Sequence, residues 1–410
     1  MKKIIFILIT AILSTVYFGS TFTDNAVSNN NVMFNFSERN ILDIGVSADL
    51  FAEENLIDLL DLYSKRNETE YVIDLNEIYS GLNGSNGLIR LNAYAESFAK
   101  VNLFGIKLAL KADINTENKI EIPNEILKFI SEGNEIGENI QASGSVDMNT
   151  VLTSGIYAGI NSGNFGIGIS GDLFLPLIYS DPEAYYNTYF NTENGGVGSG
   201  AIGEIPVYSV FNSEEIKAVS EEMILEKLYG NSGIKFDIDF VGVKNDSPYF
   251  GISLGNIVLR PAVLDKKLVA KFDISAVATD LLGTGEYDTS SNFSFEDTEE
   301  VNMEYKMPLK ASAFVKLPVL FFDVTPFADV YFDKEILFDW GTYAEGRLLG
   351  IIPYHLSFTN INSAWGLETG FGIDLHAVEL YIAAGTKSSD INNLFNLKGI
   401  SAKINISVGL

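Results

Sequence analysis

Apolar and polar residues alternate along most of this chain, and the pattern is clearest at its end. From position 400 onward every second residue is apolar, namely Ile400, Ala402, Ile404, Ile406, Val408 and Leu410. A period of two places these side chains on one face of a β-strand and the intervening polar residues on the other. Strands of roughly 9–11 residues cross a bilayer in closed barrels, whereas soluble strands are nearer 5–6 residues. The pattern therefore predicts a terminal membrane-spanning strand.

The same alternation recurs throughout the sequence. It covers residues 42–50, 89–96, 106–114, 140–160, 165–178, 234–240, 249–259, 268–279, 303–317, 319–332, 337–348, 354–359, 365–375 and 378–386. Short turns, such as those at residues 102–105 and 161–164, favour antiparallel pairing of strands that are neighbours in sequence. The expected fold is all-β, an antiparallel up-and-down transmembrane β-barrel of about 14 strands with a few short helices in loops or plug segments.

The N-terminus has the features of an export signal. Lys2 and Lys3 precede a mostly apolar stretch at residues 4–18, and small residues follow at 19–21. This pattern predicts a signal peptide at residues 1–20. An N-terminal segment at 21–40 then leads into a single barrel domain at 41–410. Insertions at 52–86, 115–138, 181–232 and 281–302 interrupt the alternation.

The third insertion contains the strongest helix signal. Asn212 is a suitable cap, Glu215 occupies the third helical position, and Ile216, Val219 and Met223 share one face. Residues 181–230 are long enough to fold inward and narrow a pore, or to form a cap or an external loop. The last insertion, at 281–302, is polar and acidic, and a loop is expected there.

Composition narrows the possible chemistry. The chain has no Cys, which excludes disulfides, thiolate metal sites and cysteine nucleophiles. Its net charge of −27 disfavours nucleic acid as a partner. The motif Gly198-x-Gly200-x-x-Gly203 matches a dinucleotide fingerprint, but no strand leads into it and no helix follows it. The two histidines, His355 and His376, are expected on polar or interfacial faces. No catalytic, cofactor or metal site is predicted, and the protein is not expected to be an enzyme.

The signal peptide, the alternating strands and the terminal strand resemble those of bacterial outer-membrane β-barrel proteins. Length and strand count are loosely similar to fatty-acid-transporter-like barrels. Members of the wider class usually end in an aromatic residue, whereas this chain ends in Leu410. The resemblance implies an outer-membrane location, contact with outer-membrane lipid and insertion by the barrel assembly machinery.

Two functions remain open at this level. In a membrane barrel the apolar faces contact lipid and the polar faces line the interior, giving a pore or transporter for small solutes or hydrophobic molecules. The alternative is a secreted or surface-associated soluble β-sandwich with a structural or binding role, whose apolar faces form a core. For the barrel, the expected pore-lining residues are charges on polar strand faces: Lys107, Lys111, Asp237, Asp239, Lys271 and Asp273.

Overall fold

A computed structural model gives the fold of most of the chain. It describes residues 41–55, 82, 84–132, 139–180, 184–191, 197–244, 247–278, 287–319, 322–349, 351–375, 377–396 and 398–409. The predicted signal peptide and the segment at 21–40 lie outside these residues, as do His376 and most of the first insertion.

The described residues form one sheet of 19 strands. In chain order the first ten are β1 (Leu42–Glu54), β2 (Gly87–Leu103), β3 (Ile106–Ile122), β4 (Asn139–Asn161), β5 (Phe165–Ser180), β6 (Tyr185–Asn191), β7 (Val197–Ser209), β8 (Gly233–Lys244), β9 (Ser247–Arg260) and β10 (Ala262–Ala278). The others are β11 (Tyr287–Tyr305), β12 (Leu309–Val315), β13 (Leu317–Val319), β14 (Phe322–Phe332), β15 (Ile336–Leu348), β16 (Ile352–Ile361), β17 (Ala364–Asp374), β18 (Val378–Ser388) and β19 (Gly399–Gly409).

The sheet closes on itself because its first and last strands pair. In the antiparallel register of β1 and β19, Ile44 lies opposite Val408 and Ala48 lies opposite Ile404. The circuit then passes through β2, β3, β4, β5, β8, β9, β12, β14, β15, β16, β17 and β18 before it returns to β19. Closure leaves this circuit without an open edge. The fold is the predicted all-β antiparallel closed barrel, and the alternative fold, a β-sandwich, is wrong.

The two ends of the barrel differ in their connections. At one end, called here the turn rim, tight turns at residues 104–105 and 162–164 join neighbouring strands. This end also carries the start of β1 and the end of β19. At the opposite end, the loop rim, the chain makes its long excursions between β3 and β4, β5 and β8, and β9 and β12.

Five strands lie outside this circuit. The short β13 follows β12 and pairs with β14, and the other four extend the sheet at the loop rim. In this rim sheet β6 pairs with the first residues of β4, β7 pairs with β6 and β10, and β10 pairs with β11. The whole sheet therefore has more strands than the predicted 14 or so, and two segments assigned to insertions are strands. Residues 287–302 belong to β11 rather than to a loop, and residues 115–122 continue β3.

Three short helices occur among the described residues: α1 (Asn124–Glu132), α2 (Ser213–Lys217) and α3 (Glu221–Asn231). None is long and apolar enough to cross a membrane. Asn212 caps α2 through the backbone N–H groups of Glu214 and Glu215, and the Glu215 carboxylate returns a bond to the Asn212 backbone. The predicted capping box is therefore present. The single helix expected beyond it is broken in two, and Ser220 caps the second half.

Candidate functional site

The barrel interior is lined by polar and charged side chains, and its outer surface by apolar ones. On β19, Ser401, Asn405 and Ser407 point inward and are buried, whereas Ile400 and Ile404 point outward and are exposed. The same division continues around the circuit, with outward side chains such as Ile156 and Phe371 being 63% and 60% exposed. A soluble protein buries its apolar face, so this distribution of polarity is the reverse of a water-soluble fold.

One ion cluster joins β2 and β3 inside the barrel. The Lys111 ammonium lies 3.0 Å from Glu96 Oε2 and 3.5 Å from Asp113 Oδ2. The Tyr94 hydroxyl donates to the same Glu96 oxygen. Register explains the cluster, because Glu96 is paired with Asp113 and Phe98 with Lys111 on adjacent strands. Partnered in this way, charges can be kept away from bulk water without the full cost of isolated burial.

A second cluster occupies the neighbouring wall. The Lys235 ammonium lies 3.4 Å from Asp172 Oδ2 and 3.3 Å from Asp237 Oδ2. The Ser170 hydroxyl contacts both carboxylates, at 2.8 and 3.2 Å. Asn256, whose φ of 56° lies in the left-handed region, donates its backbone N–H to Asp237 Oδ1 at 2.6 Å. Asn tolerates this conformation better than most residues, and the irregular register of β9 here turns a backbone donor into the lumen.

His355 belongs to a third polar group, which the sequence did not reveal. Its Nε2 lies 3.1 Å from Glu368 Oε1, and its Nδ1 contacts the hydroxyl of the buried Tyr381. Glycine at position 370 makes room, because a Cβ there would collide with the Tyr381 ring and hydroxyl. The expectation of a polar-face histidine fits this inward position. Its partners come from β17 and β18, and only the register of β16, β17 and β18 brings them together.

The six predicted pore-lining residues divide into two groups. Lys107, Lys111, Asp237 and Asp239 lie on inward faces of the closed circuit, and Asp239 is only 1% exposed. Lys271 and Asp273 lie on β10 in the rim sheet, outside the closed circuit. Lys271 instead pairs with Glu296 at 2.8 Å and Glu204 at 3.4 Å. These hydrogen bonds, led by that to Glu296, raise the pKa of Lys271.

Opposite walls of the barrel meet across the lumen. The Asn362 side chain, in the turn between β16 and β17, donates to Glu117 Oε1 on β3 at 3.3 Å. Asn362 is held by its own backbone N–H, which donates to Asp339 Oδ1 at 2.8 Å. Glu117 also lies close enough to Asp339 and Tyr331 to interact with them electrostatically. The wall formed by β1, β2 and β3 thus approaches β14–β17, and these contacts narrow the passage.

Aromatic side chains gather on the outer surface near both rims. Near the turn rim, the ring centroids of Phe165 and Phe240 are 6.2 Å apart and those of Phe322 and Tyr354 are 5.7 Å apart. Near the loop rim, Trp340, Phe358 and Trp365 form a cluster with centroid distances of 5.6–6.3 Å. Trp340 and Trp365 are the only two tryptophans of the chain. Two aromatic girdles around an apolar band are typical of barrels that span a bilayer.

The long insertion at 181–232 does not form an inward-folded plug in its described residues. Its β6 and β7 extend the sheet from β4 and β5 at the loop rim. The predicted packing residues Ile216, Val219 and Met223 do face a buried cluster, made of Leu175, Val210, Phe211 and Leu264. The helices therefore pack against β5 and the rim sheet.

No protein-family model matches the sequence, and no curated protein matches it. Among solved structures, the P. putida toluene transporter TodX is similar over 96% of both chains, with 8% identity and a TM-score of 0.47. The Ralstonia pickettii toluene transporter TbuX is similar over 90% of both chains, with 8% identity and a TM-score of 0.45. The monoaromatic hydrocarbon channel CymD covers 90% of this chain and 89% of its own, with 9% identity and a TM-score of 0.43.

Proposed function

We propose that this chain is an outer-membrane β-barrel channel for small polar solutes or ions, closed at rest by contacts between opposite walls. The observation that carries the proposal is the reversed polarity of the barrel: a charged interior inside an apolar, aromatic-bounded surface. In barrels of this type the short turns face the periplasm and the long connections face outward. The turn rim is then periplasmic and the rim sheet extracellular.

The interior chemistry favours polar cargo over hydrophobic cargo. Positively charged lysines and negatively charged carboxylates both line the lumen. They include four of the predicted residues, namely Lys107, Lys111, Asp237 and Asp239. Charges lining a passage set ion preference at close range. Because both signs are interspersed, we expect only modest selectivity between cations and anions. Outer-membrane lipid and the barrel assembly machinery are the partners that this role requires.

The wall contact between Glu117 and Asn362 gives the experiment. Refolded wild-type protein in planar bilayers should show low, intermittent conductance. Removing the contact with Glu117→Ala or Asn362→Ala should raise the fraction of time that the channel is open, because one of the hydrogen bonds that hold β3 against the opposite wall is lost. Glu204→Ala removes an exposed carboxylate from the rim sheet, outside the circuit, and is the matched control.

The outcomes separate the functional classes. Openings that become more frequent in both lumen variants, and stay at the wild-type level in the control, support a gated channel. Folded, membrane-inserted barrels without conductance in any form would refute the channel and favour a structural or lipid-handling barrel. Conductance that is high in the wild type and unaffected by either lumen variant would refute closure by this contact.

A further inference from the structure

The outer surface of the barrel contains a large apolar groove. It has a volume of about 880 Å³ and crosses the outward faces of β18, β19 and β1–β5. Side chains that line it include Val46, Ala99, Ala112, Ser154 and Ile406. This volume falls within the roughly 300–1,000 Å³ of typical small-molecule sites. A barrel wall is ordinarily convex toward its surroundings, so a concavity that touches seven neighbouring strands needs a cause.

A bend of β1–β3 toward the lumen accounts for this concavity, and it agrees with the approach of Glu117 on β3 to Asn362 on the opposite wall. Where a sheet curves inward, outward side chains converge, and the small Ala99 and Ala112 fit that crowded side. Large side chains occupy the inner, splayed side of the same strands, as Phe98 and Lys111 do. Phe98 lies over Gly45, where an added Cβ would come within 2.5 Å of its ring. Groove and narrowed lumen are therefore two sides of one bent wall.

The depth of the groove places it within the apolar band. On β5, position 171 at the groove lies six residues from the girdle residue Phe165. At ~3.3 Å per residue and a tilt near ~40°, that separation is about 15 Å of depth from the turn-rim girdle. The groove opens onto exposed lipid-facing residues, Leu110 and Ile156. Toward the turn rim the groove reaches Val408 near the edge of the apolar band, so its surroundings are hydrocarbon over most of its length.

We infer that the groove holds the acyl chain of a membrane phospholipid from the leaflet at the turn rim. This inference rests on the proposed membrane location and adds a specific lipid site to it. The outward side chains of the lining are apolar apart from the Ser97 and Ser154 hydroxyls, and the ammonium of Lys111 is directed inward to Glu96 and Asp113. Water therefore finds too few hydrogen-bond partners to fill the space. A polypeptide strand would leave its backbone groups unpaired there, because the wall strands already bond to each other. A hydrocarbon chain carries no such groups.

The test is native mass spectrometry of the full mature chain, refolded into vesicles of phosphatidylethanolamine and phosphatidylglycerol and released into mild detergent. Wild-type barrels should retain a bound phospholipid. Ala112→Phe fills the groove and should lose it, and Ser154→Leu is a smaller filling change for the case in which Phe prevents folding. Leu356→Phe enlarges an outward, exposed side chain on β16, far from the groove, and should retain the lipid.

Heat-modifiable migration on gels reports barrel folding separately from lipid retention. Folded wild-type barrels without bound phospholipid, or equal retention in wild type and in the filled variants, would overturn the inference while leaving the channel intact. A wild-type dimer that Ala112→Phe dissociates would assign the groove to a second copy of the chain and overturn the lipid site. Failure of the wild type to insert into vesicles would overturn both the membrane location and the site.

Discussion

The membrane assignment makes a depth-dependent prediction for charges on the outer surface of β19. Ile400, Ile404 and Val408 all point outward on this strand, and Ile404 lies at its centre. Its neighbours on both sides, Ala48 on β1 and Ile382 on β18, also face outward. An arginine at position 404 would therefore project into the apolar band with no lumen group within reach.

The magnitude follows from strand geometry. Four residues at ~3.4 Å each, inclined by ~40°, place Ile400 and Val408 about 10 Å above and below Ile404 along the membrane normal. The apolar band is about 25 Å tall, so the two outer positions lie near its edges. Arginine costs about 2–4 kcal/mol at the midplane and about 0–1 near an interface. Ile404→Arg should thus shift the folding equilibrium toward the unfolded state by about 30- to 700-fold, at tenfold per 1.4 kcal/mol.

The assay is reversible urea unfolding of the refolded barrel in phospholipid vesicles, which yields the free energy of unfolding for each variant. Ile400→Arg and Val408→Arg serve as depth controls with the same chemical change on the same strand. Ile404→Leu controls for the loss of β-branching. Equal losses at all three positions, or a negligible loss at position 404, would refute the membrane-spanning assignment of this surface.

Two further predictions test the girdle and the packed interior. Emission from Trp340 and Trp365 should be quenched more strongly by phospholipids brominated near the headgroup than by those brominated near the chain end, because both rings lie in the loop-rim girdle; the reverse order would contradict that placement. Gly370→Ala should lower the free energy of unfolding by about 1–3 kcal/mol, since its Cβ meets the buried Tyr381. Gly171→Ala has open space around its Cβ and should change stability by less than about 0.5 kcal/mol, and similar losses in both would argue against a packed interior at Gly370.

Alternation along the sequence predicted the strands of the circuit well, because each of these strands has one face in apolar surroundings and one face in polar surroundings. Residues 106–114 show this for β3, whose inward Lys107 and Lys111 were assigned to the polar face from period two alone. The pattern failed for β11, where many residues of both faces are exposed, so neither face is selected for apolar side chains. A strand with both faces exposed to water has the composition of a loop. Residues 287–302 were therefore interpreted as a loop.

Alternation also identifies the face of a strand but not its partner. Lys271 and Asp273 have the same pattern as Asp237 and Asp239, yet β10 pairs with β7 and β11 instead of entering the circuit. That choice depends on hydrogen bonding to distant segments, which local periodicity does not encode. The contact between Glu117 and Asn362 joins residues 245 positions apart and is equally inaccessible to a local pattern.

The bent wall links the lumen to the bilayer. An outward movement of β1–β3 that separates Glu117 from Asn362 would also flatten the groove, because both features come from the same curvature. An acyl chain in the groove binds only the bent state, and a ligand that prefers one of two states shifts the population toward it. Glu117→Ala should therefore weaken phospholipid retention as well as raise the open fraction, although position 117 does not line the groove. Native mass spectrometry and conductance on the same preparations measure both effects, and a rise in open fraction with undiminished lipid retention would show that the two faces of the wall move independently.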